Sequence, residues 1–132
     1  MNILLLHSDE AVNEYFSLRF CLSGHMCRTM GQGTTHTSFR EELKFRCPDV
    51  VILDPAFKPL NALRLCQELD QEANRPVCLF LGDMKEPEEV LDAYMAGADV
   101  CLPKGADLED IMQAIKETRQ PGLQRERCRS IK

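Results

Sequence analysis

The chain has 132 residues, of which 44% are hydrophobic and 28% are charged, and its formal net charge is −5. This size and composition fit one compact domain with a sizeable core, and they exclude a chain that is disordered over most of its length. The first apolar run, residues 3–6, is too short for a signal peptide or a membrane span, so we expect a cytoplasmic protein that does not bind membranes.

The charge is unevenly distributed along the chain. Residues 1–118 contain 11 Lys/Arg and 20 Asp/Glu, whereas residues 119–132 contain 5 and 1. An acidic body argues against direct nucleic-acid binding, which needs clustered Lys/Arg to neutralise phosphates. Pro121-Gly122 follows the last predicted helix, so the sequence predicts a folded domain over residues 1–119 and a basic linker or disordered tail over residues 120–132.

Five predicted strands alternate with five predicted helices. The strands are residues 2–6, 26–30, 50–53, 77–81 and 99–102. The first helix is capped by Ser8 and ends at Gly24, the second spans about residues 35–46, the third follows Pro59, the fourth starts near Pro87 and stops before Gly97, and the fifth carries the apolar stripe Leu108, Ile111, Met112 and Ile115. This alternation predicts an α/β fold with a doubly wound parallel sheet.

The third strand is the centre of this prediction. Four apolar residues follow Pro48-Asp49, a pattern typical of a strand that is buried on both faces. Asp54 then lies at the carboxyl end of the strand, the edge at which open α/β sheets bind ligands. The alternative is that Asp54 only turns the loop beside Pro55.

Seven cysteines show neither a C-x-x-C pair nor zinc-binding spacing: Cys21, Cys27, Cys47, Cys66, Cys78, Cys101 and Cys128. Their odd number, with several in apolar runs, predicts reduced thiols that act as small buried hydrophobes. A redox role for Cys78 or Cys101 is a remote alternative, because a cysteine inside a strand is mostly inert. His25 and His36 have no partner that the sequence reveals.

The five βα units, Asp54 after the third strand, and Ala96-Gly97-Ala98-Asp99 leading to Leu102-Pro103-Lys104 resemble the receiver domain of two-component response regulators over residues 1–119. The resemblance implies a flavodoxin-like (βα)5 fold with strand order 2-1-3-4-5 and a role in phosphorelay signal transduction, not an enzyme. It also implies that Asp54 is the candidate phosphoacceptor and Lys104 the candidate phosphoryl contact. A solvated surface lysine is the alternative for Lys104.

The acidic pocket departs from the family's pattern. The family holds Mg²⁺ with two adjacent acids after the first strand, and His7 and Ser8 occupy the matching positions. Neither an imidazole nor a neutral hydroxyl supplies the charge that Mg²⁺ prefers. Asp9 together with Asp54 is a weak metal-ligand prediction, and Asp9 and Glu10 are more simply explained as first-turn acids of a helix. A transition-metal site of His7, Asp9 and Asp54 is weaker still.

Four further positions bear on switching. Leu81 replaces the hydroxyl residue that follows the fourth strand, Cys101 replaces the aromatic switch residue, and Gly82 retains the expected small residue. Gly105 follows Lys104 where the family usually has a proline. The replacements at Leu81 and Cys101 remove the family's usual contacts by which phosphate would favour one shape of the domain over another.

We therefore expect an atypical receiver that acts through protein–protein contacts, without normal Mg²⁺-dependent phosphorylation and without a cofactor. Its partner, or a second copy in a homodimer, would bind the face formed by the fourth helix, fifth strand and fifth helix. The alternative is a conventional receiver, phosphorylated on Asp54 by a histidine kinase with Mg²⁺. Residues 104–111 also resemble receivers fused to helix-turn-helix domains, so the whole protein would be a transcription regulator that contacts DNA only through a domain beyond Lys132.

Overall fold

The computed structural model describes residues 1–58 and 60–118. Five strands and five α-helices alternate along the chain. In order they are β1 (Asn2–Leu6), α1 (Glu10–Leu22), β2 (Met26–Met30), α2 (His36–Arg46), β3 (Val50–Leu53), α3 (Ala62–Asp70), β4 (Val77–Leu81), α4 (Pro87–Ala96), β5 (Val100–Leu102) and α5 (Leu108–Thr118). The predicted alternation is confirmed, and the predicted linker of residues 120–132 lies outside the described residues.

The strands form one parallel sheet in the order β2-β1-β3-β4-β5. The predicted doubly wound, flavodoxin-like architecture is therefore confirmed. β3 lies in the middle of the sheet, where Val50 is aligned with Ile3 of β1 and Val77 of β4. All four residues of β3 have no exposed surface, as the unbroken apolar run predicts for a central strand.

Helices cover both faces of the sheet, and each face has its own apolar core. Val51 and Leu53 contribute to a cluster with residues of α2, α3 and α4, whereas Val50 and Ile52 contribute to a cluster with residues of α1 and α5. Successive side chains of a strand point to opposite faces, so one short strand supplies both cores. The two cores fix the positions of all the loops at the carboxyl edge of the sheet.

The start of α1 corrects one prediction. Asp9, not Ser8, caps the helix, and its Oδ1 accepts a hydrogen bond of 3.0 Å from the backbone N–H of Ala11. Serine and aspartate are both good capping residues, so local preference did not separate them. The Ser8 hydroxyl instead donates to a carboxylate that is distant in the sequence, that of Asp54.

Arg75 lies in a buried ionic network at the amino edge of the sheet, which the sequence did not reveal. Its guanidinium donates to Asp70 Oδ1 at 2.8 Å, to Asp99 Oδ2 at 3.1 Å and to the carbonyl oxygen of Gly97 at 2.6 Å. The side chains of Arg75 and Asp99 are each 4% exposed. The network joins the end of α3, the end of α4 and the residue before β5. In the same network Asp99 Oδ2 accepts a hydrogen bond from the backbone N–H of Cys78.

No helix within residues 1–58 and 60–118 combines the length and the apolar character that a membrane span requires.

We expect Arg75→Met to lower the free energy of unfolding by about 3–5 kcal/mol, because it removes the guanidinium that forms buried ion pairs with Asp70 and Asp99. Urea unfolding of the wild type and the variant measures this loss. Arg40→Met is the matched control, since the Arg40–Glu72 ion pair is 46% and 33% exposed and should contribute less than about 1 kcal/mol. Equal losses for the two variants would contradict the assignment.

Candidate functional site

Asp54 lies at the carboxyl end of the central strand, β3, on the same edge of the sheet at which β1, β4 and β5 end. His7 and Ser8 follow β1, Gly82 follows β4, and Lys104 comes two residues after β5. Leu6 and Leu53 are aligned in the sheet, so the residues that follow them meet at one place. Asp54 is only 4% exposed, which is unusual for a carboxylate.

Three donors satisfy the Asp54 carboxylate. The Ser8 hydroxyl and the Ser8 backbone N–H both donate to Oδ2, the latter at 3.1 Å, and the Ala56 N–H donates to Oδ1 at 2.8 Å. Burial opposes the ionisation of Asp54, but the Ser8 hydroxyl, the two backbone donors and the nearby His7 ring together hold its pKa below its usual value. The carboxylate is therefore ionised at neutral pH.

His7 is buried beside this carboxylate. Its Nδ1 lies 3.6 Å from Asp54 Oδ2 and accepts a 3.0 Å hydrogen bond from the backbone N–H of Asp9. Because Nδ1 accepts, the neutral ring carries its proton on Nε2. Burial is the largest influence on the pKa of His7 and lowers it, Asp54 and Asp9 raise it, and smaller opposing contributions come from Lys104 and the Leu81 backbone. The net shift is downward, so His7 is neutral at pH 7.

Lys104 reaches the same edge of the sheet, and its ion-pair partner is Asp9. Its Nζ lies 3.3 Å from Asp9 Oδ2, and half of the lysine side chain is exposed. The hydrogen bond from the Ala11 N–H and the contact with Lys104 lower the pKa of Asp9. The structure thus brings Lys104 close to the predicted pocket but against Asp9, the capping residue of α1.

The positions where the family's switch residues would lie are occupied by apolar packing. Leu81 is fully buried in the core that α1 and α5 cover. Cys101 is half-buried against the opposite core, its N–H donates to the Tyr94 hydroxyl at 3.3 Å, and burial raises the pKa of its thiol to about 11. A Cβ added to Gly82 would lie 2.6 Å from Cδ of Pro55, so the small residue is needed by the loop that follows Asp54.

The donor set at this edge does not fit Mg²⁺. Oδ2 of Asp54 already accepts both Ser8 donors, Asp9 pairs with Lys104, and His7 offers an uncharged nitrogen. Mg²⁺ is held by hard oxygen ligands, commonly one or two carboxylates, in octahedral geometry. Within residues 1–58 and 60–118, no group of three or more His, Cys, Asp and Glu side chains is arranged to hold a metal ion.

Several contacts near the site were missed by sequence reasoning. The hydrogen bonds of Ser8 to Asp54 join residues that are 46 positions apart, and no local pattern signals them. In the sequence, this contact is indicated only by Ser8 itself, a hydroxyl residue at a position where the family resemblance predicts an acid. His36, which the sequence left without a partner, lies with its Nε2 2.7 Å from Oε1 of Glu68, and His25 Nδ1 lies 3.1 Å from the amino terminus.

We expect the free energy of unfolding to fall as the pH drops below about 6.5, because the unfolded chain binds a proton at His7 that the folded protein excludes. The groups that face the ring are Asp54, Asp9 and Lys104. In His7→Asn, the amide oxygen can still accept from the Asp9 N–H but the side chain does not titrate, so stability should depend less on pH.

Urea unfolding at about pH 7.5 and about pH 5.5 measures this slope. The pKa of His25 is also lowered, first by burial and then by the amino terminus, so His25→Gln is the matched comparison and the double variant should show the smallest slope. A slope for His7→Asn that equals that of the wild type would rule out the buried neutral histidine.

The sequence matches a known protein family and a curated relative. The family model "Response regulator receiver domain" matches residues 4–116. The chain is 27% identical over 116 residues to "Response regulator MprA" of Mycobacterium leprae (strain TN), a match that covers 88% of this chain and 50% of the relative. The chain thus spans about half the length of this curated relative.

Solved receiver structures share the fold. The BeF3-activated N-terminal receiver domain of Klebsiella pneumoniae RstA superimposes with a TM-score of 0.79 at 16% identity, covering 91% of this chain and 100% of that chain. The non-phosphorylated HemR receiver domain from Leptospira biflexa gives a TM-score of 0.75 at 20% identity, covering 92% and 98%. Together with the family match over residues 4–116, these likenesses identify the chain as a member of the response regulator receiver domain family.

Proposed function

We propose that this receiver domain acts in signal transduction through protein–protein contacts, without normal Mg²⁺-dependent phosphorylation of Asp54 and without an enzymatic activity of its own. The observation that carries the proposal is the set of three hydrogen bonds that Asp54 accepts. One of its oxygens accepts the hydroxyl and the N–H of Ser8, and the other accepts the N–H of Ala56.

Phosphoryl transfer to a carboxylate makes demands that this set of hydrogen bonds does not meet. The attacking oxygen must approach phosphorus, and the charge that the phosphoryl group brings must be neutralised by a metal ion or a cation. Asp54 is 4% exposed, its Oδ2 is engaged by Ser8, and the neighbouring His7 ring is neutral. Leu81 supplies no hydrogen-bond donor for a phosphoryl oxygen. The arrangement favours a structural acceptor over a nucleophile.

A conventional phospho-receiver is the second candidate, and two observations favour it. The lowered pKa of Asp54 keeps its carboxylate ionised and therefore nucleophilic. Lys104 lies at the same edge and pairs with Asp9, the residue next to Ser8. In this alternative a histidine kinase donates the phosphoryl group, Lys104 leaves Asp9 to contact it, and Mg²⁺ has to be held by Asp54 and Asp9.

The length of the curated relative and the resemblance of residues 104–111 support a proposal about the whole protein. The curated relative is a response regulator about twice as long as the matched region. Residues 104–111 resemble receivers fused to helix-turn-helix domains. We infer that the whole protein is a transcription regulator, in which DNA is contacted by a domain beyond Lys132 and this receiver supplies the regulatory contacts.

The exposed face of α4 supports a protein partner. Leu91, Tyr94 and Met95 are 60%, 46% and 75% exposed, although they are large and apolar. Large apolar side chains grouped on one helix face are typical of protein-binding surfaces. We propose that a second copy of the chain binds through the face of α4, β5 and α5.

Incubation with Mg²⁺ and acetyl phosphate, followed by intact-mass measurement, tests the role of Asp54. We expect no phosphoryl adduct on the wild type. The double variant His7→Asp, Ser8→Asp should gain an adduct, because it restores the two carboxylates that hold Mg²⁺ and opens Asp54 Oδ2. Adding Asp54→Asn to the double variant should remove that adduct.

An adduct on the wild type that is absent from Asp54→Asn would overturn the phosphate-independent proposal and establish the conventional receiver. Circular dichroism of each variant shows whether it is folded. The double variant also serves as the positive control for the reagents, so a missing adduct on the wild type can be interpreted.

Met95→Glu should weaken self-association of the chain by at least about tenfold, because it places a charge in the centre of an apolar contact. Sedimentation equilibrium over a range of concentrations measures the dimer dissociation constant. Leu22→Glu is the matched control, since Leu22 is also 75% exposed but lies on α1. A wild type that stays monomeric throughout would direct the search to a different protein partner.

A further inference from the structure

Two cysteines from different elements meet in the core between α3 and β4. Cys66 lies on α3, Cys78 lies on β4, and their Sγ atoms are 3.2 Å apart. The two residues are 0% and 1% exposed and belong to the same apolar cluster. Both are free thiols. The packing of α3 against β4 therefore brings the two sulfur atoms together.

The geometry is close to that of a disulfide bond. A disulfide holds its sulfurs at about 2.05 Å, so the two Sγ atoms have to approach by little more than 1 Å. Rotation about the Cα–Cβ bond of a cysteine moves its Sγ and leaves its own backbone in place. A hydrogen bond between the thiols now occupies this space.

We propose that Cys66 and Cys78 form an intrachain disulfide under peroxide, which joins α3 to β4. In the first step one thiol ionises and its thiolate attacks hydrogen peroxide; a sulfur–oxygen bond forms, the oxygen–oxygen bond breaks, and a sulfenic acid and hydroxide result. The hydroxide takes up the proton that the thiol released and becomes water. In the second step the other sulfur attacks the sulfenic acid; the disulfide bond forms and the sulfur–oxygen bond breaks. The departing hydroxide takes the second thiol's proton as water. Two thiols lose two electrons, and one peroxide is reduced to two waters.

The surroundings make this reaction slow at neutral pH. The thiol–thiol hydrogen bond from Cys66 and then burial raise the pKa of Cys78 well above its ordinary value. Since the thiolate is the species that attacks peroxide, attack by Cys78 is slow at neutral pH and its rate should rise with pH. The pair is therefore suited to sustained oxidation and not to rapid sensing of peroxide.

The link would constrain the elements beside Asp54. β4 ends at Leu81 and is followed by Gly82, against which Pro55 packs, and α3 follows the loop that leads away from Asp54. The two cysteines are 12 positions apart, so the bond closes a short loop and restricts the unfolded chain. Oxidation should raise the melting temperature by about 10 °C and be reversed by dithiothreitol.

Peptide mapping of the full chain tests the proposal. Reduced protein is treated with hydrogen peroxide, unfolded, alkylated with iodoacetamide and digested with trypsin. Trypsin should not cut after Arg75, because Pro76 follows it, so residues 65–85 form one peptide that contains both cysteines. We expect this peptide to be lighter by two hydrogen atoms and to carry no alkyl group. Cleavage after Glu68 or Glu72 should give two fragments that remain joined.

Alkylation of both Cys66 and Cys78 after peroxide treatment, with oxidation confined to the exposed Cys21 and Cys47, would overturn the proposal. The variant Cys21→Ser, Cys47→Ser should keep the link and the rise in melting temperature, whereas Cys66→Ala should lose both. If Cys66→Ala does not fold, the map of the wild-type peptide still decides the question. The proposal is independent of whether Asp54 is phosphorylated.

Discussion

The hydrogen bonds that Ser8 and Ala56 donate to Asp54 organise the carboxyl edge of this sheet. A carboxylate that is 4% exposed is costly unless its lone pairs are satisfied. The donors come from the loops after β1 and β3, so satisfying one charge fixes two loops. The cap of α1 follows from this arrangement, because the Ser8 side chain is engaged and Asp9 takes the capping position.

The hydrogen bonds that stabilise the Asp54 carboxylate also restrict its reactivity. Donors that keep Asp54 ionised also occupy the oxygens through which it would attack a phosphoryl group. Lys104, the cation of this edge, is engaged by the residue that caps α1. The neutral His7 ring lies beside the same carboxylate, with its Nδ1 3.6 Å from Asp54 Oδ2. A pocket built in this way holds its own shape without a ligand.

The sequence predicted what depends on local pattern. The unbroken apolar run of β3 predicted its central position. The alternation of strand-like and helix-like apolar patterns along the chain predicted a sheet with helices on both faces. The family resemblance supplied the strand order and drew attention to His7, Ser8, Leu81 and Cys101. The contacts of Arg75 with Asp99, of His36 with Glu68 and of Cys66 with Cys78 join different elements of the fold, so no local sequence pattern predicts them. Ser8 was misassigned for the same reason, since a tertiary partner outweighed a local preference.

The clamp around Arg75 has a consequence for motion. The carbonyl of Gly97, at the end of α4, is held by the guanidinium, whereas Glu86 at the start of the helix makes no side-chain capping bond. The side-chain contacts at the two ends of α4 are therefore unequal, and a tilt about the Gly97 end would move the amino end most. A helix of 10 residues is about 15 Å long, so a tilt of about 10° would move its amino end by about 2.6 Å. The amino end adjoins the loop after β4, which borders Asp54. A partner that tilts the helix would therefore move this loop without phosphorylation of Asp54.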